Sequence, residues 1–190
     1  RGFTYFDFEG DGDMDIFACV PHFENNISAE HLEYQIIVND GKIGGVTQWK
    51  VNKHTIAEQL PYYATLIQPA DLDNDGDMDI VIFIGDDAGN YGDTPVQGAG
   101  GIFAYIWEDG KYNLLEIEPY IDGGNHFLYH GGTLGDVNGD GFIDVLAGTV
   151  GKQSLWVNNG NLTFTKEKGF IELNNGYSTF VCSQFLFDLN

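Results

Sequence analysis

The sequence predicts an all-β protein built from repeated units of four antiparallel strands. An Asp-rich segment recurs with its first residue at Asp7, Asp71 and Asp136, and such self-similarity is the signature of repeat architectures. Each unit also carries an Asn/Asp-Gly pair after a β-branched and aromatic run, which is a strong β-hairpin signal. Apolar runs such as IVIFIG, at residues 80–85, lack helical periodicity and suit strands that are buried on both faces.

The strands can be assigned in order along each unit. The first unit predicts strands at Phe3–Phe8, Met14–Val20, Leu32–Val38 and Val46–Val51. The second predicts strands at Tyr63–Leu72, Met78–Ile84, Ile102–Glu108 and Tyr112–Ile117. The third predicts strands at Phe127–Val137, Phe142–Thr149, Ser154–Asn158 and Leu162–Lys166. The one segment in which we predict a short helical turn is HTIAEQLPYY, before Pro61.

Four-stranded units repeated every 64 to 65 residues are typical of the blades of a β-propeller. The predicted fold is therefore three propeller blades and the start of a fourth within a single segment. The predicted unit boundaries are about 1–61, 62–125, 126–176 and 177–190.

Composition excludes several classes of protein. The 190 residues are 43% apolar and 14% aromatic, which excludes a disordered chain. The net charge of −21 argues against nucleic-acid partners and anionic membranes, because no basic face could neutralise phosphate. No run of 18 or more apolar residues is present, so we expect no membrane insertion.

The Asp-rich segment lies in the turn between the first and second strands of each unit. Gly76, at position 6 of the second copy, permits a sharp bend. An all-oxygen site with several carboxylates on a flexible loop favours Ca²⁺ over Mg²⁺ or zinc. In the second copy the candidate ligands at positions 1, 3, 5, 7 and 9 are Asp71, Asp73, Asp75, the carbonyl of Asp77, and Asp79.

An EF-hand would require Glu at position 12 and flanking helices. Position 12 is instead Ala18, Ile82 or Ala147, each within a predicted strand, so the EF-hand interpretation fails in all three copies. Metal-free acidic turns are the remaining alternative. Three copies in register, each with Gly at position 6 and Asp at positions 1, 5 and 9, favour a metal site.

The segments DFEGDGDMDIF, DLDNDGDMDIVI and DVNGDGFIDVLAG resemble the FG-GAP (or VCBS-type) repeats of integrin α-subunit propellers and of many secreted bacterial and fungal proteins. The resemblance implies a Ca²⁺ ion in each loop, on the lower face of a propeller that typically has seven blades. The three units would then be part of a larger ring. Glu9 is longer than the Asp or Asn usual at its position, and the FG and GAP dipeptides are poorly kept. The ligands that the resemblance implies are Asp7, Glu9, Asp11, Asp13 (carbonyl) and Asp15; Asp71, Asp73, Asp75, Asp77 (carbonyl) and Asp79; Asp136, Asn138, Asp140, Phe142 (carbonyl) and Asp144; and, in the incomplete fourth copy, Asp188 and Asn190.

Calcium sites of this kind in extracellular modules have dissociation constants of about 10⁻⁴–10⁻³ M, so they fill outside the cell. Two sequons, at Asn26 and Asn161, fit a secreted glycoprotein. The sequence therefore predicts a secreted or cell-surface location. Cys19 and Cys182 lie in apolar runs. Two buried thiols and a long-range disulfide are the alternatives for this pair, and the sequence leaves both open.

The sequence carries no catalytic motif: the histidines lack metal-binding spacing, and no G-x-S-x-G, P-loop or H-E-x-x-H segment is present. We therefore expect no enzyme activity in this segment, although a longer parent could carry one. Binding is expected on the long loops opposite the Asp-rich turns, since long loops on a rigid scaffold commonly carry function. Candidate ligand-contacting residues there are Asn90, Tyr91, Asp93 and Tyr120.

Two functions follow from these expectations. The first is an extracellular calcium-binding propeller that serves adhesion, glycan or protein binding, or extracellular assembly, including self-assembly into an oligomer or filament. The alternative is an accessory propeller of a secreted carbohydrate-active enzyme, a lyase or hydrolase, with catalysis elsewhere on the chain.

Overall fold

Each predicted unit forms one antiparallel sheet whose four strands follow one another in sequence order. The structure is a computed structural model and describes residues 2–22, 31–52, 55–86, 99–121, 129, 131–149, 152–167 and 171–172. Sheet 1 contains β1 (Phe3–Phe6), β2 (Asp15–His22), β3 (His31–Ile43) and β4 (Val46–Asn52). Sheet 2 contains β5 (Ala64–Ala70), β6 (Asp79–Asp86), β7 (Ala99–Glu108) and β8 (Lys111–Ile121). Sheet 3 contains β9 (Gly131–Gly135), β10 (Asp144–Thr149), β11 (Lys152–Asn158) and β12 (Phe164–Lys166).

The predicted all-β fold class and the blades of four antiparallel strands are confirmed. A short strand that the sequence did not predict, β13 (Ile171–Glu172), pairs with the first residues of β11. The described sheets form three blades and not a closed ring. No helix long and apolar enough to cross a membrane occurs among the described residues.

The first strand of each sheet ends earlier than predicted. Phe8, Leu72 and Val137 were expected to be strand residues, but β1, β5 and β9 end two residues before them. The reason is that the backbone N–H of each of these residues donates a hydrogen bond to the carboxylate of an Asp seven residues later. An amide used in this way is lost to the strand ladder, so the loop begins there.

The hairpin turns follow the prediction in sheet 2 and depart from it in sheet 1. Asp109 and Gly110 join β7 to β8 with φ of 52° and 78°, as a type I′ turn requires. In sheet 1 the Asn39–Gly41 segment is a bulge within β3, and the turn lies at Gly44 and Gly45. Gly44 and Gly45 have φ of 61° and 83°, so they supply the two residues of positive φ that a type I′ turn requires.

The predicted helical turn before Pro61 is wrong for the described residues 55–63, which contain no helix. Ile56 instead forms a parallel bridge with Tyr112, and the N–H of Ala57 donates to the Tyr112 carbonyl at 2.9 Å. This connection leads the chain from sheet 1 across the edge of sheet 2 before β5 begins.

The three sheets stack face to face around their first strands, with β1 beside β5 and β5 beside β9. Sheet 2 is buried on both faces. Ile80, Ile82 and Ile84 pack into the core shared with sheet 1, whereas Val81 and Phe83 pack into the core shared with sheet 3. This two-sided burial is why the run at 80–85 shows no polar alternation.

One face of sheet 1 is turned away from sheet 2. Cross-strand register places Tyr5 beside Ile16, Ile16 beside Ile37, and Ile37 beside Val51 on this face. The outer members of the row are exposed, with Tyr5 at 65% and Val51 at 47%. We call this surface the free face of sheet 1.

Sheets 2 and 3 are joined at their outer strands by a polar contact around a buried tryptophan. Trp156 is 1% exposed, and its indole N–H donates to Glu118 Oε2 at 3.1 Å. Lys166 pairs with the other oxygen of Glu118 at 2.7 Å and lies 4.7 Å from the Trp156 ring centroid. The three side chains connect β8 to β11 and β12.

Candidate metal centres

The three Asp-rich loops lie at the same end of their sheets. Loop 1 (7–15) joins β1 to β2, loop 2 (71–79) joins β5 to β6, and loop 3 (136–144) joins β9 to β10. Each loop follows the first strand of its sheet, and these first strands are neighbours. The stacking of the sheets therefore places the loops in a row.

The Asp at position 9 of each loop is buried and structural. Asp15, Asp79 and Asp144 are at most 1% exposed. Each carboxylate accepts one backbone N–H from position 2 of its own loop and one from the third strand of its sheet, with lengths of 2.7–2.9 Å. A buried carboxylate is tolerated only when hydrogen bonds or a cation compensate its lost hydration. This Asp thus fixes the loop against the sheet, a second role that the sequence did not reveal.

The Asp at position 1 closes each loop through backbone amides. Asp71 accepts the N–H of Asp75 at 3.2 Å and that of Gly76 at 3.0 Å, and the same pattern occurs at Asp7 and Asp136. The predicted need for glycine at position 6 is explained by φ values of 90°, 97° and 91°. Position 4 also has positive φ in every loop, and it is occupied by Gly10, Asn74 and Gly139.

Loop 2 brings its acidic side chains together most closely. One carboxylate oxygen each from Asp71, Asp73 and Asp79 lies within 4.8 Å of the others, and within the described ranges this is the one such acidic group. Calcium binds oxygen at about 2.3–2.6 Å, so ligand oxygens of one ion are separated by up to about 5 Å. The donor set and its spacing therefore fit a hard divalent cation.

Electrostatics in loop 2 also favour a cation. Burial raises the pKa of Asp79 to about 7, despite the hydrogen bonds from Trp107 and Leu72 that lower it. Burial, followed by repulsion from Asp75, raises the pKa of Asp73. A bound divalent cation would offset both the lost hydration and the repulsion.

Loop 3 has a different donor set. Asn138 replaces a carboxylate at position 3, and its Nδ2 donates to Asp140 Oδ2 at 2.9 Å. Hydrogen bonds from backbone amides, led by that of Gly141, lower the pKa of Asp136. Loop 3 can therefore offer three carboxylates, an amide oxygen and the Phe142 carbonyl.

Loop 1 contains the predicted ligands Asp7, Glu9, Asp11, Asp13 and Asp15 and has the same backbone hydrogen bonds at positions 1 and 9. Position 5 also behaves alike in the three loops, because its carboxylate accepts the N–H of position 7. Asp188 and Asn190 of the predicted fourth loop lie outside the described residues.

Two asparagines connect loops 2 and 3, a pairing that no feature of the sequence predicted. Asn74 Nδ2 donates to the carbonyl of Gly141 at 2.9 Å. Asn158 is fully buried, and its Nδ2 donates to the carbonyl of Leu72 at 2.8 Å. These bonds join residues 67 and 86 positions apart in the chain, so only the fold brings them together.

The other predicted sites are described only in part. Asn161 is exposed in the loop between β11 and β12, and Thr163 donates to its side-chain oxygen through both N–H and hydroxyl. Tyr120 belongs to strand β8 rather than to a loop, and its side chain is not described. Cys19 is a buried free cysteine. The predicted residues outside the described ranges are Asn26, Asn90, Tyr91, Asp93 and Cys182.

Comparison with known families gives a match to the part of the chain that contains loops 1 and 2. Residues 7–82 match the family model of the FG-GAP-like repeat, a range that contains loops 1 and 2. A search of curated proteins finds no match to the chain. The resemblance predicted from the Asp-rich segments is thereby confirmed: the chain contains an FG-GAP-like repeat, and such repeats are typical of extracellular proteins.

Proposed function

We propose that this FG-GAP-like chain is an extracellular calcium-binding propeller segment that presents a binding surface for a glycan or a protein. The observation that carries the proposal is the cluster of Asp71, Asp73 and Asp79 in loop 2, in a position repeated in two further sheets. Calcium would supply the positive charge that lets several carboxylates approach one another.

The chain contributes carboxylates to the proposed site, and their roles differ by position in the loop. Position 9 holds the loop to the sheet, position 1 closes the loop, and positions 3 and 5 project further oxygens. Because the loop backbone is already fixed by these bonds, a cation would meet a largely formed oxygen site. Hard oxygen donors of this kind suit Ca²⁺ and discriminate against zinc.

Calcium removal tests the proposal. Binding to the native state alone stabilises by about 1.4 kcal/mol per site when the free ion is ten times Kd. For three sites, the melting temperature should fall by about 10 °C when calcium is replaced by EDTA, since about 1 kcal/mol shifts Tm by 2–4 °C at this chain length. Differential scanning calorimetry measures the shift.

A matched pair of variants makes the test specific. Asp75→Asn removes one ligand carboxylate from loop 2, whereas Asp109→Asn removes one from the β7–β8 turn, where Asn tolerates positive φ. The first should reduce the calcium-dependent rise in Tm and the second should not. Identical melting curves in calcium and in EDTA for the unaltered protein would refute the calcium proposal.

The proposal that the segment assembles with further sheets is supported by the free face of sheet 1. Its row of Tyr5, Ile16, Ile37 and Val51 has the apolar character of the buried faces of sheet 2. Sedimentation velocity over a range of protein concentrations tests self-assembly. The sedimentation coefficient of the unaltered protein should rise with protein concentration. In a Tyr5→Ser, Val51→Ser variant this rise should be smaller.

A further inference from the structure

Two side-chain hydrogen bonds make loops 2 and 3 a connected pair. Asn74 lies between the candidate ligands Asp73 and Asp75, and it bonds to the Gly141 carbonyl of loop 3 at 2.9 Å. Gly141 in turn lies between Asp140 and the Phe142 carbonyl. A cation that restricts the backbone motion of loop 3 at Gly141 therefore also restricts Asn74, in the middle of loop 2.

The second bond has its donor in sheet 3 and its acceptor in loop 2. Asn158 donates from its backbone to Asp144 of loop 3 at 2.8 Å and from its side chain to Leu72 of loop 2 at 2.8 Å. Leu72 lies between Asp71 and Asp73. Because Asn158 is fully buried, neither bond is easily replaced by water.

Loop 1, all of whose residues are described, has no counterpart of either connection. Its position 4 is Gly10, which has no side chain to match Asn74. Trp107 is the counterpart of Asn158 in sheet 2, because its backbone N–H donates to the position-9 Asp of loop 2. Trp107 has no side-chain amide that could bond to loop 1. Phe8 of loop 1 instead meets sheet 2 by ring packing, with its centroid 5.0 Å from that of Trp107, and a cleft of about 180 Å³ lies beside this contact.

We propose that loops 2 and 3 bind their cations with positive cooperativity through Asn74 and Asn158, while loop 1 binds independently. This inference rests on the proposed calcium function. A bound cation restricts the motion that its loop retains, at an entropic cost, and a second cation loses less entropy when the shared hydrogen bonds have already restricted its loop. Asn74 and Asn158 are positioning residues in this scheme, since neither supplies a metal ligand.

Site-resolved calcium titration by NMR tests the coupling. The backbone amides of Gly12, Gly76 and Gly141, at position 6 of the three loops, report separately on loops 1, 2 and 3. Disabling loop 2 with Asp75→Ala should weaken binding at loop 3 by about fivefold, the lower end of typical couplings. Asp140→Ala should weaken loop 2 by the same factor, because coupling between binding sites is reciprocal.

A substitution already present in the other loops removes the hydrogen bond of Asn74 to loop 3. Asn74→Gly keeps the positive φ of 62° and copies the glycine of loops 1 and 3 at position 4. It should reduce the fivefold effect between loops 2 and 3 while leaving the melting temperature in EDTA within a few degrees. Asn158→Ser is the second variant and should act in the same direction, although its burial adds a stability loss.

Controls for loop 1 complete the experiment. Asp11→Ala should abolish the Gly12 response and leave the midpoints of Gly76 and Gly141 unchanged. A loop 3 midpoint that is unaltered by Asp75→Ala overturns the coupling but not the calcium function. The absence of any calcium response in all three glycines overturns both.

Discussion

At the scale of single residues, the Asp-rich loops contain two kinds of carboxylate. Positions 3 and 5 carry side chains that are at least partly exposed, whereas the position-9 Asp is buried and bonded to two backbone amides. The sequence predicted these residues as equivalent ligands, because a motif gives the order of oxygens along a chain and not their burial. The distinction emerges only when the third strand of each sheet contributes its amide.

This difference predicts unequal effects of two substitutions in loop 3. Asp144→Ala leaves the fully buried amide of Asn158 and the part-buried amide of Val137 without their carboxylate, and a buried unsatisfied group costs about 1–3 kcal/mol. Asp140→Ala removes an exposed side chain. In EDTA, urea unfolding should show a loss of about 3 kcal/mol for the first variant and less than about 1 kcal/mol for the second. Equal losses would show that position 9 has no special structural role.

The loops should also differ in calcium affinity. Loop 3 has Asn138 where loop 2 has Asp73, and the Asn138 amide already occupies an oxygen of Asp140. With one ligand carboxylate fewer, loop 3 should bind calcium more weakly when each loop is measured without its partner. Titration calorimetry on Asp11→Ala, Asp140→Ala, which retains only loop 2 intact, and on Asp11→Ala, Asp75→Ala, which retains only loop 3 intact, compares them. A tighter loop 3 would contradict the prediction, and Asn138→Asp should narrow the gap.

At the scale of strands and turns, the sequence identified all four strands of each sheet, because apolar runs and turn residues are local signals. It placed the ends of the first strands too late and the first hairpin turn too early. The second error arises because Gly44 and Gly45, both with positive φ, form the two-residue turn in place of Asp40 and Gly41. The first error has a tertiary cause: the amides of Phe8, Leu72 and Val137 donate to the buried Asp that begins the next strand. These hydrogen bonds depend on the tertiary structure and outweigh the local preference of the residues for a β-strand.

A close approach between sheets 2 and 3 gives a prediction at this scale. A Cβ at Gly132 of β9 would clash with the ring of Phe83, which is fully buried. Gly132→Ala should therefore destabilise the protein by about 1–3 kcal/mol through overpacking. The double variant Gly132→Ala, Phe83→Leu should recover part of the loss in thermal unfolding. If the single variant melts like the unaltered protein, the sheets are less tightly packed than the structure indicates.

At the scale of the whole molecule, the three Asp-rich loops occupy one end of the stacked sheets. Long connections between the second and third strands leave from the opposite end. The repeated position of the Asp-rich segment between the first and second strands of each unit predicted that the loops share one end. The hydrogen bonds between loops 2 and 3 could not be predicted, because they depend on how neighbouring sheets stack.

We predict that a glycan or protein partner binds at the end opposite the Asp-rich loops. The loop backbones are held by the position-1 and position-9 carboxylates and have little freedom to adapt to a ligand. Aromatic rings can stack on a sugar while Asn and Asp bind its hydroxyl groups. An Asn90→Ala, Tyr91→Ala variant should therefore lose binding on a glycan array or in partner capture while keeping its calcium-dependent Tm. Loss of binding in Asn161→Gln alone would instead assign the partner to the loop end.

The contact of Trp156 with Glu118 and Lys166 gives the molecule an internal optical reporter. Indole fluorescence depends on the polarity around the ring, and the environments of the three tryptophans differ: Trp156 is 1% exposed, Trp49 is 51% exposed, and Trp107 is intermediate. A separation of sheets 2 and 3 would hydrate Trp156 and move its emission to longer wavelength, while Trp49 would barely change. In a Trp49→Phe, Trp107→Phe variant the emission would come from Trp156 alone, so fluorescence would follow the separation of sheets 2 and 3 without a signal from sheet 1.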